Sequence, residues 1–98
     1  MDVSNLFDRE VVGNNGSVIG RVRNLDLNER TWQIDSLVVE LDDNVAKEFD
    51  MKKALRKTIV KILVTYVQAV GDKVILKEDK QKLMELVASS RSTVNHTE

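Results

Sequence analysis

The sequence predicts a mainly β fold: a small barrel of five to six strands with a short helical insert and a C-terminal amphipathic helix. Three observations carry that expectation. Ninety-eight residues suffice for one hydrophobic core and not for two. Fifteen valines, five isoleucines and five threonines stand against four alanines, and these stiff, branched side chains suit a pleated surface better than a helix. Twice in succession, the apolar residues of a strand slip from one parity to the other, which is how a sheet is made to coil.

Residues 1–8 read as a lead-in, 9–77 as the barrel domain, 78–90 as the C-terminal helix and 91–98 as a disordered tail of low apolar content. Glu10-Val11-Val12 is a short strand leading into Gly13-Asn14-Asn15-Gly16, whose residues tolerate the positive φ of a tight hairpin. On the return strand Val18, Gly20 and Val22 share one face, whereas Leu25 and Leu27 fall on the other parity, so a bulge or bend is expected near Arg23-Asn24. Gly20 fits a point where a curved strand needs no side chain. After a polar turn at Asn28-Glu29-Arg30, Trp32 and Ile34 hold one phase and Leu37, Val39 and Leu41 the other, with the break at Asp35-Ser36. Two neighbouring strands that bend at comparable places describe a small barrel that closes and removes its edges. Trp32, beside Ile34 on an alternating strand, reads as a core residue in preference to an interface hot spot.

Asp42-Asp43-Asn44 offers helix caps ahead of Val45 to Phe49, a turn or two of helix. Asp50 to Lys57 is a basic connection holding Lys52, Lys53, Arg56 and Lys57. Thr58 to Val64 is nearly continuous apolar sequence, consistent with a strand buried on both faces or lying at an interface. Val67–Val70, a turn at Gly71-Asp72 and Lys73–Lys77 complete six β segments. Beyond Glu78-Asp79 the period changes, and Leu83, Leu86, Val87 and Ser90 form one helical stripe with Met84 beside it. Such a stripe must cover an open barrel end or a second subunit.

The net charge of −1 hides an asymmetry, since residues 1–50 carry 11 acids and 5 bases and residues 51–98 carry 5 acids and 10 bases. Opposite halves can meet within the molecule or head to tail between copies, but the balance lacks the positive excess of a nucleic-acid binder. No apolar run approaches the ~20 residues that span a bilayer, and the first residues lack the basic and apolar blocks of a signal peptide, so a cytoplasmic protein without direct membrane insertion is expected. Without cysteine there is no disulfide or thiolate chemistry. The only histidine, His96, falls in the tail, and the close carboxylates Asp42-Asp43, Glu78-Asp79 and Asp35/Glu40 read as helix starts and surface charge. No catalytic residue, cofactor or metal is therefore expected, and the chain is read as no enzyme.

Val11-Val12-Gly13-Asn14-Asn15-Gly16-Ser17-Val18-Ile19-Gly20-Arg21-Val22 resembles the opening of PRC-barrel domains, the family named after the photosynthetic reaction centre H subunit. Ile34-Asp35-Ser36-Leu37-Val38-Val39 is similar to its third strand, and Leu63 to Leu76, with Ala69-Val70-Gly71-Asp72 at its centre, to its close. The resemblance covers residues 9–77, with Leu63 standing where the family usually has proline. It implies a non-catalytic barrel used for binding and assembly. The short form, with its helical insert and basic stretch, is most similar to archaeal PRC-barrel adaptors that act in cell division with a tubulin-like division protein or its membrane anchor. The resemblance therefore implies recruitment to the division site.

On that basis a homodimer, or a heterodimer with a paralogous PRC-barrel protein, is expected. Leu83, Met84, Leu86, Val87, Ile62 and Tyr66 are its expected interface, and Lys52, Lys53, Arg56 and Lys57 a possible patch for an acidic partner. The alternative is an RNA- or ribosome-associated barrel of the ribosome-maturation-factor type, in which those bases and Lys61 would contact phosphate. The acidic balance and the absence of interleaved aromatics disfavour nucleic acid.

Overall fold

The structure, a computed structural model, describes residues 3–51 and 57–87. Among them the six expected strands form: β1 (Glu10–Val12), β2 (Val18–Asn28), β3 (Gln33–Leu41), β4 (Ile59–Leu63), β5 (Val67–Val70) and β6 (Val74–Leu76). Helix α1 (Asp43–Glu48) follows β3, and a second helix, α2, runs over residues 80–87. Lys52, Lys53, Arg56, residues 88–90 of the expected helix and the expected tail with His96 lie outside the described residues.

The strands make one sheet in the order β4-β3-β2-β1-β6-β5, antiparallel except for the β1–β6 pair. Laid flat, such a sheet would hold its outer strands about 24 Å apart. Here β4 and β5 are joined only by the 3-10 turn Val64–Tyr66, a link that spans at most about 14 Å. The sheet must therefore roll until its two edges approach. Residues from both ends of the strand order, Val60 and Ile62 of β4 and Val74 and Leu76 of β6, accordingly share one buried core.

The expected closure is not completed. Among the described residues β4 and β5 are not paired, so the barrel stays open along one seam. The 3-10 turn sends the chain off the line of β4 before β5 begins, and α2 packs against β4 and that turn. Leu63, at the start of the turn, has φ −60° and ψ 139°, the backbone proline itself adopts, so the family's proline position keeps its geometry here.

The phase slips are real bulges. Val22 faces Val39 and Asn24 faces Val38, which leaves Arg23 as the extra residue of β2. Asp26 faces Ser36 and Leu27 faces Ile34, which leaves Asp35 extra on β3. Between β1 and β2 the register shifts again, and at Gly20 β2 and β3 come so close that an added Cβ would lie 2.1 Å from the Glu40 carbonyl oxygen. At the first hairpin Gly16 takes φ 86°, as the turn requires.

Both helices start as their sequences suggest. Asp42 caps α1 by accepting from the Asn44 N–H at 3.0 Å, and Asp79 caps α2 by accepting from the Lys82 N–H at 2.9 Å. The residues just before α2 also sit against the first hairpin, where Asn14 N–H donates to the Glu78 carbonyl and the Asn14 side chain to that of Lys77, each at 3.0 Å.

Of the two readings of Thr58 to Val64, burial on both faces is corrected. β4 alternates, with Val60 and Ile62 buried and Ile59, Lys61 and Leu63 exposed, because it is an edge strand with an uncovered outer face.

Candidate functional site

Two features stand out on the described surface, and both lie toward the same end of the rolled sheet. The first is an arm. β1 pairs with β2 only as far as Arg21, and β4 pairs with β3 only from Ser36 onward. Among the described residues, 27–35 therefore project as a two-stranded hairpin without a third strand, whose three strand residues beyond Ser36 reach about 10 Å past the β4 pairing. Leu27 and Ile34 face each other on the side that continues from Leu25 and Leu37, so the apolar face of the core runs out along the arm.

At its tip is Trp32, the sole tryptophan of the chain, 76 % exposed and at φ 58°. This corrects the expectation of a core indole. Strand alternation cannot be counted through a turn, and the left-handed residue throws its side chain outward. The turn is well tied: Trp32 N–H donates to the Asn28 carbonyl at 2.7 Å, and the Asn28 side chain accepts from the Arg30 N–H at 2.9 Å. Hairpins usually give a left-handed position to glycine or asparagine, and holding a bulky residue there costs about 1 kcal/mol.

The second feature is a groove of about 220 Å³ between the β4 edge and α2, lined by Lys61, Ile62, Leu63 and Tyr66 on one side and Leu83, Leu86 and Val87 on the other. It gathers five of the six residues expected at an interface, all but Met84. Their roles differ. Ile62, Leu83, Met84 and Val87 are buried in the chain's own core, so most of the helical stripe covers the barrel itself. Leu86 and Tyr66 are half-buried and Leu63 is 52 % exposed, and these three have surface left to offer a partner.

Part of the sequence asymmetry is met within the molecule. Lys57–Glu40 (3.7 Å), Lys61–Asp26 (2.9 Å), Lys73–Glu10 (3.0 Å) and Lys80–Glu48 (2.8 Å) each join a base of the second half to an acid of the first. The Lys61–Asp26 bridge reaches from β4 across β3 to β2. Arg23, the bulge residue, bonds both Asp8 and Glu40, its Nε donating to Glu40 Oε1 at 2.7 Å. That hydrogen bond is the main reason the Glu40 carboxyl lies below its usual range and the Arg23 guanidinium above its own. Of the expected acidic-partner patch only Lys57 is described, exposed beside Glu40.

A second concavity of about 300 Å³ between β2, β3 and the start of α1 is lined largely by Glu10, Arg21, Glu40, Asp42 and Asp43. Lys73 and Arg23 hold Glu10 and Glu40 there, and Asp42 is the α1 cap. No three acidic or histidine side chains among the described residues are grouped to hold a metal ion, and none of the described helices is long and apolar enough to cross a membrane.

A rolled six-stranded sheet with a helix at its seam, carrying an exposed arm and an apolar groove, defines a small β-barrel module. The family model of the PRC-barrel domain matches residues 1–83, beyond both limits of the 9–77 resemblance, and the chain belongs to that family. No curated protein matches the sequence.

Proposed function

We propose that this chain is a non-catalytic assembly module that binds other polypeptides through its outer surface, like the archaeal PRC-barrel adaptors of tubulin-homologue-based cell division. The supporting observation is Trp32: a large indole held out in water by a strained backbone is of no use to the chain's own core and has the form of a binding hot spot. Its partners in this reading are the tubulin-like division protein, its membrane anchor or a paralogous PRC-barrel chain, met in the cytoplasm at the division site.

The test is affinity capture from the native organism with the wild-type chain and Trp32→Ala, read by mass spectrometry. Enrichment of division proteins with the wild type and its loss with Trp32→Ala supports the reading. Enrichment of ribosomal subunits by both, weakening steeply with salt, replaces it by the ribosome-associated one.

A further inference from the structure

We propose that Asn15 is a site of spontaneous covalent modification: in the folded chain its side-chain amide converts, through a cyclic imide formed with Gly16, to aspartate and isoaspartate, and the isoaspartyl form releases α2 from the first hairpin. The inference goes beyond the assembly-module reading and does not rest on it.

Chemistry selects the position. The main-chain nitrogen that follows an asparagine can attack the asparagine Cγ, and the new C–N bond closes a ring while the side-chain nitrogen leaves as ammonia. Water then opens the ring at either of its two carbonyls. Cleavage of the new Cγ–N bond gives aspartate, and cleavage of the original peptide bond leaves the main chain running through Cβ and Cγ as isoaspartate. The balance is amide plus water to carboxylate plus ammonium, with no oxidant or reductant. A side chain on the attacking residue obstructs the approach, and of the seven asparagines in the chain Asn15 alone is followed by glycine.

The fold leaves the step open. Asn15 and Gly16 are exposed to water, and nothing lies within 4 Å of the place a Gly16 Cβ would take. The Ser17 N–H donates to Asn15 Oδ1 at 3.2 Å, so a main-chain donor already points at the oxygen that becomes anionic when Cγ is attacked. The opposing contact is the Gly16 N–H bond to the Gly13 carbonyl at 3.0 Å, which must open before the nitrogen attacks. It is a single bond closing a surface turn, and such bonds open at little cost. Asn14 beside it has the opposite setting, since its side chain is tied to the Lys77 carbonyl and a residue with a Cβ follows it.

The consequence follows from what the turn carries. Asn14 bonds the carbonyls of Glu78 and Lys77, and Gly13 packs so closely that an added Cβ would lie 3.1 Å from the Lys80 nitrogen. Aspartate keeps the Gly16 N–H, and its carboxylate can still accept from Ser17, so that product preserves the turn. Isoaspartate adds one carbon to the main chain inside the Gly13–Gly16 turn, which shifts Gly13 and Asn14 against the start of α2. Leu83, Met84 and Val87 of that helix are buried in the core, so its loosening uncovers the seam of the barrel.

The test incubates the full chain at mildly alkaline pH, once folded and once unfolded in guanidinium as the reference. Peptide mass spectrometry locates the amide-to-acid mass change, and an isoaspartyl-specific methyltransferase counts the isomer. Asn15 of the folded chain should convert several-fold faster than any other asparagine, within several-fold of its unfolded rate and in proportion to hydroxide. Asn15→Gln should abolish the conversion while melting cooperatively, because the position is exposed. The isoaspartyl fraction, separated by chromatography, should lose hydrogen-exchange protection at Leu83 and Met84, whereas Asn15→Asp should match the fresh chain. A folded chain whose Asn15 stays intact while the unfolded reference converts, or which converts faster at another asparagine, overturns the site. An isoaspartyl chain with undiminished protection along α2, or an Asn15→Asp chain that loses it equally, overturns the release.

Discussion

β2 is one strand with two characters. From Val18 to Val22 it lies between β1 and β3, with Ile19 and Val22 fully buried and Gly20 pressed against β3. From Asn24 to Asn28 its only strand partner among the described residues is β3, and its side chains are half-buried or exposed. Arg23, the bulge residue, separates the two. Eleven residues thus supply both a packed wall and an arm reaching into solvent, and one extra residue makes the change. Rigidity and availability are set by what lies on the far edge of a strand, more than by its own composition.

The sharpest way to break the packed half is Gly20→Ala. The new Cβ would lie 2.1 Å from a backbone oxygen, so β2 and β3 must part, and a loss of about 3 kcal/mol or more is expected in denaturant unfolding. Gly71→Ala, where nothing lies within 4 Å, is the control and should change little. Next comes Leu83→Ala. If α2 completes the core, as the 1 % exposure of Leu83 indicates, stability should fall by about 2–5 kcal/mol. A melt unchanged by Leu83→Ala would return the helix to the role of a pure interface element.

The same two halves mark what the sequence could and could not disclose. Both irregularities were legible, as a bulge or bend near Arg23-Asn24 and a break at Asp35-Ser36, because an unbroken period-two strand cannot make a parity slip between Val22 and Leu25 or between Ile34 and Leu37. Asp42 and Asp79 were legible as helix starts because capping is local. The parallel β1–β6 pairing was not, since it joins residues some sixty positions apart and leaves no local periodicity. Trp32 was misread for a related reason: its direction depends on the sign of one φ angle inside a turn. The groove was half legible. Its residues could be chosen as apolar and helical, but their division between core and surface depends on where α2 lies against β4.

The arm is tested by a substitution that should improve the fold. Trp32→Asn removes the bulky residue from a left-handed position that asparagine tolerates, without the extra chain entropy of glycine, so stability should rise by about 0.5–1 kcal/mol. Partner binding should fall at the same time. Stability and association moving in opposite directions would show that the strain is kept for contact. A drop in stability would show that the indole packs on its own arm after all.

The smallest effect concerns the junction itself. Arg23 fastens the start of the arm to β3 through Glu40 and to the lead-in through Asp8, with Lys57 also near Glu40. Because Glu40 lies below its usual range, chiefly through the Arg23 hydrogen bond, the ionised form favours the fold. That contribution is present above the ordinary carboxylate range and is lost as pH falls through the lowered value. Wild type and Glu40→Gln should therefore differ most at neutral pH and converge in acid. Salt should also narrow the gap, because the two side chains retain 38 % and 22 % of their exposure. Hydrogen exchange can separate the two halves of β2 in this variant. Protection at Leu25 and Leu27 should weaken in Glu40→Gln while that at Ile19 and Val22 holds, and equal loss along the strand would mean that Arg23 supports the whole sheet.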